Sequence, residues 1–133
     1  MEPEARVAIN REPDIVVARQ QGRDLAAALG FSLGDLALIA TAISEITRNV
    51  IAYATRGEMT VRVVRHGTRR GLEVVVQDEG PGIVDLQRAM QDGYSTGGGL
   101  GLGLPGARRL MDEFDIDSQV GRGTRVVMRK WSK

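Results

Sequence analysis

The chain has no cysteine, which excludes disulfides, thiolate metal sites and cysteine nucleophiles. It has a single histidine, His66, so multi-histidine metal sites are excluded and a Ser-His-Asp triad would have to use that one residue. The only lysines are Lys130 and Lys133, both at the C-terminal end. A P-loop needs Gly-Lys-Ser/Thr and a eukaryotic-type kinase needs a lysine on an internal strand, so both chemistries are excluded. Charge of one sign is also missing: 18 basic residues against 17 acidic give a net charge of +1. That balance makes no case for a nucleic-acid or membrane footprint, and neither partner is expected. The longest apolar run, about Leu36 to Ile43, is far short of a membrane span. The acidic start, Met1-Glu2-Pro3-Glu4, has no apolar run after it and does not read as a signal peptide. A cysteine-free chain suits a reducing compartment, and a cytoplasmic location is expected.

What is present is ordinary except for glycine. The 133 residues are 42% hydrophobic and 26% charged, the size and composition of one globular domain, expected over residues 1–133. Glycine numbers 17, and nine of these fall between Gly80 and Gly106. Residues 5–10 alternate weakly, as a short strand does. A helix is expected over 14–29, with Pro13 in its first turn, apolar positions 17, 18, 25, 28 and 29, and Gly30 just past its end. Ser32, with Asp35 three residues on, reads as the cap of a long helix to about Ala54. Its apolar stripe is Leu36, Ile39, Ala40, Ile43, Ile46, Val50 and Ala54. Runs 59–65 and 72–78 form a hairpin. A glycine-rich loop with a short helical segment near 84–91 follows, then a helix over 104–114. A second hairpin takes in 116–120 and 124–131 around Gly121-Arg122-Gly123. This order predicts an α+β two-layer sandwich: a mixed, mainly antiparallel sheet with helices on one face.

Four short constellations carry chemistry. Glu45 and Asn49 lie four apart, on one helix face with Thr41, Arg48 and Ala52. Glutamate can accept a proton and the asparagine oxygen can ligate a hard cation such as Mg²⁺; a plain solvated helix face has the same composition. In Asp78-Glu79-Gly80-Pro81-Gly82 a strand-end carboxylate can accept a hydrogen bond from an exocyclic amine. Gly80 and Gly82 there let a flat ring approach the backbone; an ordinary turn uses the same residues. Gly97 to Leu104 reads as an anion cradle running into a helix start, or as a mobile surface loop. Leu100, Leu102, Leu104 and Pro105 supply the anchors that a free loop does not need. Gly101, Gly103 and Gly106 match G-x-G-x-x-G, but no strand precedes them and no βαβ repeat surrounds them, so the dinucleotide reading fails. Gly121-Arg122-Gly123-Thr124 is a hairpin turn in any reading, with a hydroxyl on Thr124.

Taken in order, E-x-x-x-N, D-x-G-x-G, G-x-G-x-G and G-x-G-T resemble the GHKL ATPase superfamily and its Bergerat fold. The stretches DIVVARQQGRDLAAALGF, TAISEITRNVIAYA, DEGPGI, DGYSTGGGLGLGLPGARRLMDEF and GRGT narrow the likeness. They resemble the RsbT-type switch kinases of the stressosome, in the anti-sigma regulatory kinase group. The resemblance implies an ATP- and Mg²⁺-dependent serine/threonine protein kinase. Its expected substrates are STAS-domain scaffold and antagonist proteins, and a PPM-type serine phosphatase is an output partner after release. It implies Glu45 as general base and Asn49 as Mg²⁺ ligand. Asp78 would read the adenine amine, with Gly80 and Gly82 beside the ring and Thr124 at the base pocket. Gly99, Gly101 and Gly103 would lie around the phosphates. Tyr94-Ser95-Thr96-Gly97 lacks the basic residue that sigma-binding relatives carry there, which leaves phosphate neutralisation to Mg²⁺, backbone and an arginine such as Arg48. Two rival activities share the resemblance: an ATP-gated anti-sigma factor and a non-catalytic protein-binding module.

Overall fold

The structure is a computed structural model that describes residues 4–54, 56–82 and 103–132. The described chain runs β1 (Glu4–Ile9), α1 (Pro13–Ala28), α2 (Leu33–Tyr53), β2 (Gly57–His66), β3 (Arg69–Asp78), α3 (Gly103–Leu110), β4 (Glu113–Gln119) and β5 (Gly123–Trp131). The strands form one sheet in the order β1-β2-β3-β5-β4, and every pairing among them is antiparallel. The helices cover one face, giving the α+β sandwich. The expected helical segment near 84–91 lies outside the described residues.

The helices start where local chemistry directs. Pro13 sits in the first turn of α1, where no intrahelical N–H is needed. Asp14 reaches back to accept the N–H groups of Asn10 and Arg11 at 2.9 and 3.0 Å, and these two bonds hold its carboxyl below the usual aspartate range. Ser32 Oγ accepts the Asp35 N–H at 3.1 Å and caps α2. The buried stripe of α1 is Ile15, Ala18, Gly22 and Ala26, whereas Val17, expected inside, is 46% exposed. The reason is close packing: any side chain at Gly22 would run into Ile43 of α2.

Leu36, Ile39, Ile43, Ile46 and Val50 of α2 are buried as expected, and Ala42, Ser44 and Thr47 are buried as well. The buried face is wide because α1 and α3 both pack on α2. By length and composition α2, at a mean hydropathy of 1.2, could cross a membrane, but half of that window is buried inside the molecule as core. The inner face of the sheet meets these helices with Ile9, Met59, Val61, Leu72, Val74, Val76 and Met128.

The helix expected to reach Phe114 stops at Leu110, and β4 begins at Glu113. Tertiary bonds override the helical spacing there. Asp112 gives its N–H to the Arg129 carbonyl at 3.0 Å and accepts the Trp131 N–H at 2.8 Å. Lys130 Nζ donates to the Leu110 carbonyl at 3.0 Å.

Among the described residues no helix covers the outer face. Cross-strand register places Glu4, Arg62, Glu73, Arg129 and Glu113 in one row across all five strands. Glu73 Oε1 accepts from Arg62 Nε at 2.7 Å, and Glu73 Oε2 from Arg129 Nε at 2.7 Å. Arg129 also reaches Glu113 at 3.0 Å. Opposite charges on facing strands stabilise the pairing. Glu73 is the central member, its side chain only 4% exposed. Trp131 lies at one end of this face, over Gly71, where a methyl group would stand 2.6 Å from the indole.

Removing one partner of a buried ion pair costs about 3–5 kcal/mol. Glu73→Ala is therefore expected to lower unfolding free energy by that order in urea titrations, and a loss below about 1 kcal/mol would count against the row as a stabilising element. A second expectation concerns pH. Trp131 Nε1 donates to Glu113 Oε2 at 2.6 Å, and this bond, then Arg129, holds the Glu113 carboxyl below its ordinary value of 4.5. A depressed carboxylate stabilises the fold above that ordinary value and loses its contribution as pH falls through the folded one. The emission of the single tryptophan should titrate below pH 4.5 and lose that step in Glu113→Gln; an identical titration in both proteins would refute the link.

Candidate functional site

The site begins where β3 leaves the sheet. Asp78 is the last residue of β3 and is half-buried. Its Oδ1 accepts the Gly80 N–H at 2.9 Å and the Thr124 N–H at 3.1 Å. The first bond closes an Asx turn; the second spans 46 residues and ties the start of β5 to the end of β3. Among the described residues nothing donates to Oδ2, so half of the carboxylate faces outward as an acceptor.

Small residues let four segments converge on Asp78. A methyl group at Gly57 would stand 2.8 Å from Val50 Cγ1 and 3.3 Å from Asp78 Cβ. One at Gly80 would stand 2.7 Å from Ala54 Cβ and 3.2 Å from Asp78 Oδ1. The C-terminal end of α2 and the end of β3 thus meet at one end of the sandwich. The turn after β3 is fastened on both sides. Glu79 N–H donates to the Arg56 carbonyl at 3.2 Å, and Gly121 N–H to the Pro81 carbonyl at 2.8 Å. Arg56 and Glu79 also pair at 2.6 Å, but both are well exposed, so that pair contributes little. At Gly82 a methyl group would stand 2.8 Å from the Gln119 carbonyl carbon.

Asp78, Gly80, Gly82 and Thr124 therefore come together. Asn49 immediately precedes Val50 on α2, half-buried, and no described residue bonds its amide. Glu45 is one turn earlier, its side chain 19% exposed and paired with Arg48 Nη1 at 3.1 Å. Arg48, expected as a candidate for phosphate neutralisation, is engaged by Glu45. Gly103 opens α3; Gly99 and Gly101 lie outside the described residues. Sequence reasoning missed three contributors. Gly57 carried only the signal of a glycine at a strand start, Gly123 was read as turn alone, and Ser118 gave no signal. Ser118 Oγ lies 2.8 Å from Thr124 Oγ1.

Among the described residues no group of three acidic or histidine side chains could hold a metal ion. A cleft of about 440 Å³ lined by Arg69, Asp112, Glu113, Trp131 and Ser132 lies at the opposite end of β3 and β5. Trp131 is bonded there to Asp112 and Glu113, and the cleft belongs to the far end of the sheet. The arrangement at Asp78 suits a flat, amine-bearing ligand: one fixed carboxylate oxygen, a neighbouring hydroxyl and a floor without side chains.

Residues 10–130 match the model of the histidine kinase-like ATPase domain. The chain is 48% identical over 131 residues to the serine/threonine-protein kinase RsbT of Bacillus subtilis, covering 98% of both chains. It is 34% identical over 112 residues to the anti-sigma F factor of Thermoanaerobacter sp., covering 80% of this chain and 77% of that one. In fold it is similar to the crystal structure of the RsbU and RsbW domains of a Mycobacterium tuberculosis protein. That likeness has a TM-score of 0.67 at 24% identity and covers 98% of this chain and 32% of that one.

Two glycines of the β4–β5 turn give a local test of the junction. Both have positive φ, +82° at Gly121 and +126° at Gly123, but a methyl group at Gly121 meets open space while one at Gly123 stands 3.0 Å from the Asp78 carbonyl carbon and 3.2 Å from Oδ1. Gly121→Ala should cost about 1–2 kcal/mol from backbone strain, and Gly123→Ala clearly more. Equal losses in chemical denaturation would show that the junction tolerates movement of β5.

Proposed function

The chain belongs to the histidine kinase-like ATPase domain family and is a protein serine/threonine kinase of the RsbT kind; from that premise we propose that it works in a stressosome partner-switching pathway. It transfers the γ-phosphoryl group of Mg²⁺-bound ATP to a serine or threonine of STAS-domain scaffold and antagonist proteins. Once released from them it engages an output partner, a PPM-type serine phosphatase. Residues 1–133 act as one ATP-binding kinase domain, in the cytoplasm.

The observation that carries the reading is Asp78, with Oδ1 pinned by two backbone N–H groups and Oδ2 open beside glycines. That oxygen accepts the exocyclic amine of adenine, Thr124 meets the ring edge, and Gly80 and Gly82 leave room for the ring. Gly99, Gly101 and Gly103 are assigned to the phosphates by their place in the family's glycine box, and Gly103 opens α3. Mg²⁺ fits a site with one neutral protein oxygen, because it is commonly held by few protein groups plus the phosphates. Asn49 supplies that oxygen, and the ion when bound neutralises charge on the transferring group. Glu45 takes the proton of the acceptor hydroxyl, with Arg48 orienting its carboxylate. Phosphoryl transfer asks mainly for positioning and charge neutralisation, which suits a site built from strand ends and helix faces. A second reading, holding of a sigma factor under control of bound ATP, draws on the 34% identity to an anti-sigma F factor. The 48% identity to a kinase over nearly the whole chain places phosphorylation first.

The test is incubation of the protein with labelled ATP and STAS-domain proteins encoded nearby, with mapping of the modified residue. A general base typically adds about 10²–10⁴-fold, so Glu45→Ala should lower turnover by that order while ATP affinity stays within a few-fold. Asp78→Asn should weaken ATP binding about ten- to a hundredfold, the worth of a hydrogen bond to a charged group. Unchanged turnover in Glu45→Ala would favour a binding module, and unchanged affinity in Asp78→Asn would reject the pocket.

A further inference from the structure

Across the strands of the sheet, charged side chains face opposite charges, except at one end. Glu4 faces Arg62, Arg62 faces Glu73, Glu73 and Glu113 face Arg129, and Asp117 faces Arg125. At the β2–β3 hairpin end Arg65 faces Arg70 and His66 faces Arg69, and all four are exposed. Like charges directly opposite each other destabilise strand pairing, so this end carries charge that works against the fold. Its backbone is nonetheless fixed. Gly67, at φ +63°, takes the first place of a two-residue turn of the kind that suits hairpins, and Ser132 N–H donates to the Arg70 carbonyl at 2.9 Å. Arg65 has a further interaction. Among the described residues no carboxylate lies within ion-pair distance of Arg69 or Arg70. Arg69 Cζ lies 4.8 Å from the centre of the Trp131 ring, and a guanidinium stacked on an aromatic face keeps its in-plane N–H donors for an acceptor. Beside it opens the cleft that Arg69, Asp112, Glu113, Trp131 and Ser132 line. Asp112 accepts the Trp131 N–H there, and Glu113 accepts from Trp131 Nε1 and Arg129; Glu113 feels the charge of Arg69 without bonding it.

We propose that the β2–β3 hairpin end is a docking surface for an acidic, extended segment of a partner protein, its carboxylates taken by Arg69 and Arg70 and one apolar side chain resting beside Trp131. Three observations select this occupant. Successive strand residues point to opposite faces, so Arg69 and Arg70 set positive charge on both sides of the hairpin end. A chain with several carboxylates reaches both, and one small anion does not. The edge strand β4 exposes Glu113, Asp115 and Asp117, a negative row that opposes the long run of phosphates of a nucleic acid. Half-buried Trp131 adds an aromatic surface of the kind that carries binding energy at protein interfaces. Neutralising the arginines also relieves the repulsion across the hairpin, so docking and strand pairing support each other. The surface lies about 30 Å along β3 from Asp78, at about 3.3 Å per residue, and does not rest on the nucleotide reading above.

Fluorescence and calorimetric titration of the full chain with hexaglutamate, against hexaglutamine, tests this. Hexaglutamate should change the emission of Trp131, the single tryptophan, saturably at about 0.01 M salt. It should bind several-fold more weakly at about 0.15 M, where the Debye length has fallen from about 30 to about 8 Å. Hexaglutamine should give no change. Arg69→Gln and Arg70→Gln should each weaken binding about two- to fivefold, the worth of an exposed ion pair, and the double variant by the product of the two. Arg70→Gln also removes a facing charge, so its midpoint in urea should be no lower than that of wild type. A lower midpoint would assign Arg70 to the fold and overturn the proposal. Hexaglutamate binding that is absent, or unchanged in the double variant, would overturn it as well. Tighter binding of a single-stranded oligonucleotide of matched charge, weakened by the same substitutions, would overturn the choice of a protein segment.

Discussion

One carboxylate oxygen decides how the candidate functional end of this molecule is built. Asp78 Oδ1 receives two backbone N–H groups, from Gly80 two residues on and from Thr124 forty-six residues on. The first makes the chain turn as it leaves β3; the second docks the start of β5 against that turn. A charged acceptor strengthens both bonds relative to neutral ones. Because one oxygen takes both, the other keeps its lone pairs for an outside group. The same residue thus closes the structure and leaves chemistry available, and neither bond asks for a specific partner side chain.

The two ends of the sheet solve the same problem differently. At the Asp78 end, strands and turns are joined through backbone groups and crowded glycines, so little side-chain bulk intrudes. At the opposite end, side chains bond and stack on one another beside a cleft. Trp131 covers Gly71, Arg69 lies over the Trp131 ring at 4.8 Å, and Glu113 binds both Trp131 and Arg129. Between the ends, the charged row centred on Glu73 crosses the outer face strand by strand, and the aliphatic core lies beneath the inner face.

Much of the fold was legible because local rules and tertiary packing agreed. The Ser32 cap and the α2 stripe are cases where sequence spacing and burial coincide. Where they disagreed, packing won. Leu110, Met111 and Phe114 have helical spacing, but Phe114 belongs to the alternation of β4, and bonds from Asp112 to Arg129 and Trp131 end the helix early. Val17 looked internal, yet α1 turns its small residues inward so that Gly22 can approach Ile43. The candidate site was legible as residue types: Asp78, Gly80, Gly82 and Thr124 were singled out by the motifs that resemble the family's, and the structure brings them together. What spacing could not supply was the third dimension. Gly57 matters through contacts with Val50 and Asp78, and Ser118 through a cross-strand hydroxyl, and neither leaves a pattern along the chain.

The convergence also divides the work between two layers. Asp78 and Thr124 belong to the sheet; Glu45 and Asn49 belong to α2. The described links between these layers at the site run through Gly57 and Gly80, where Val50 meets the start of β2 and Ala54 meets the turn after β3 at distances that a side chain would forbid. Under the proposed function, recognition of a base and handling of a proton and a cation are therefore held in register by absence of bulk. A larger residue at Gly57 would press on Val50 of α2 and on the Gln77 carbonyl of β3 at the same time. Under the proposed function, binding and transfer would then lose their alignment, and a misplacement of about 1 Å is enough to cost on the order of a hundredfold in rate. This is a physical reason for glycine to occur at a strand start, where its low β-propensity would otherwise disfavour it.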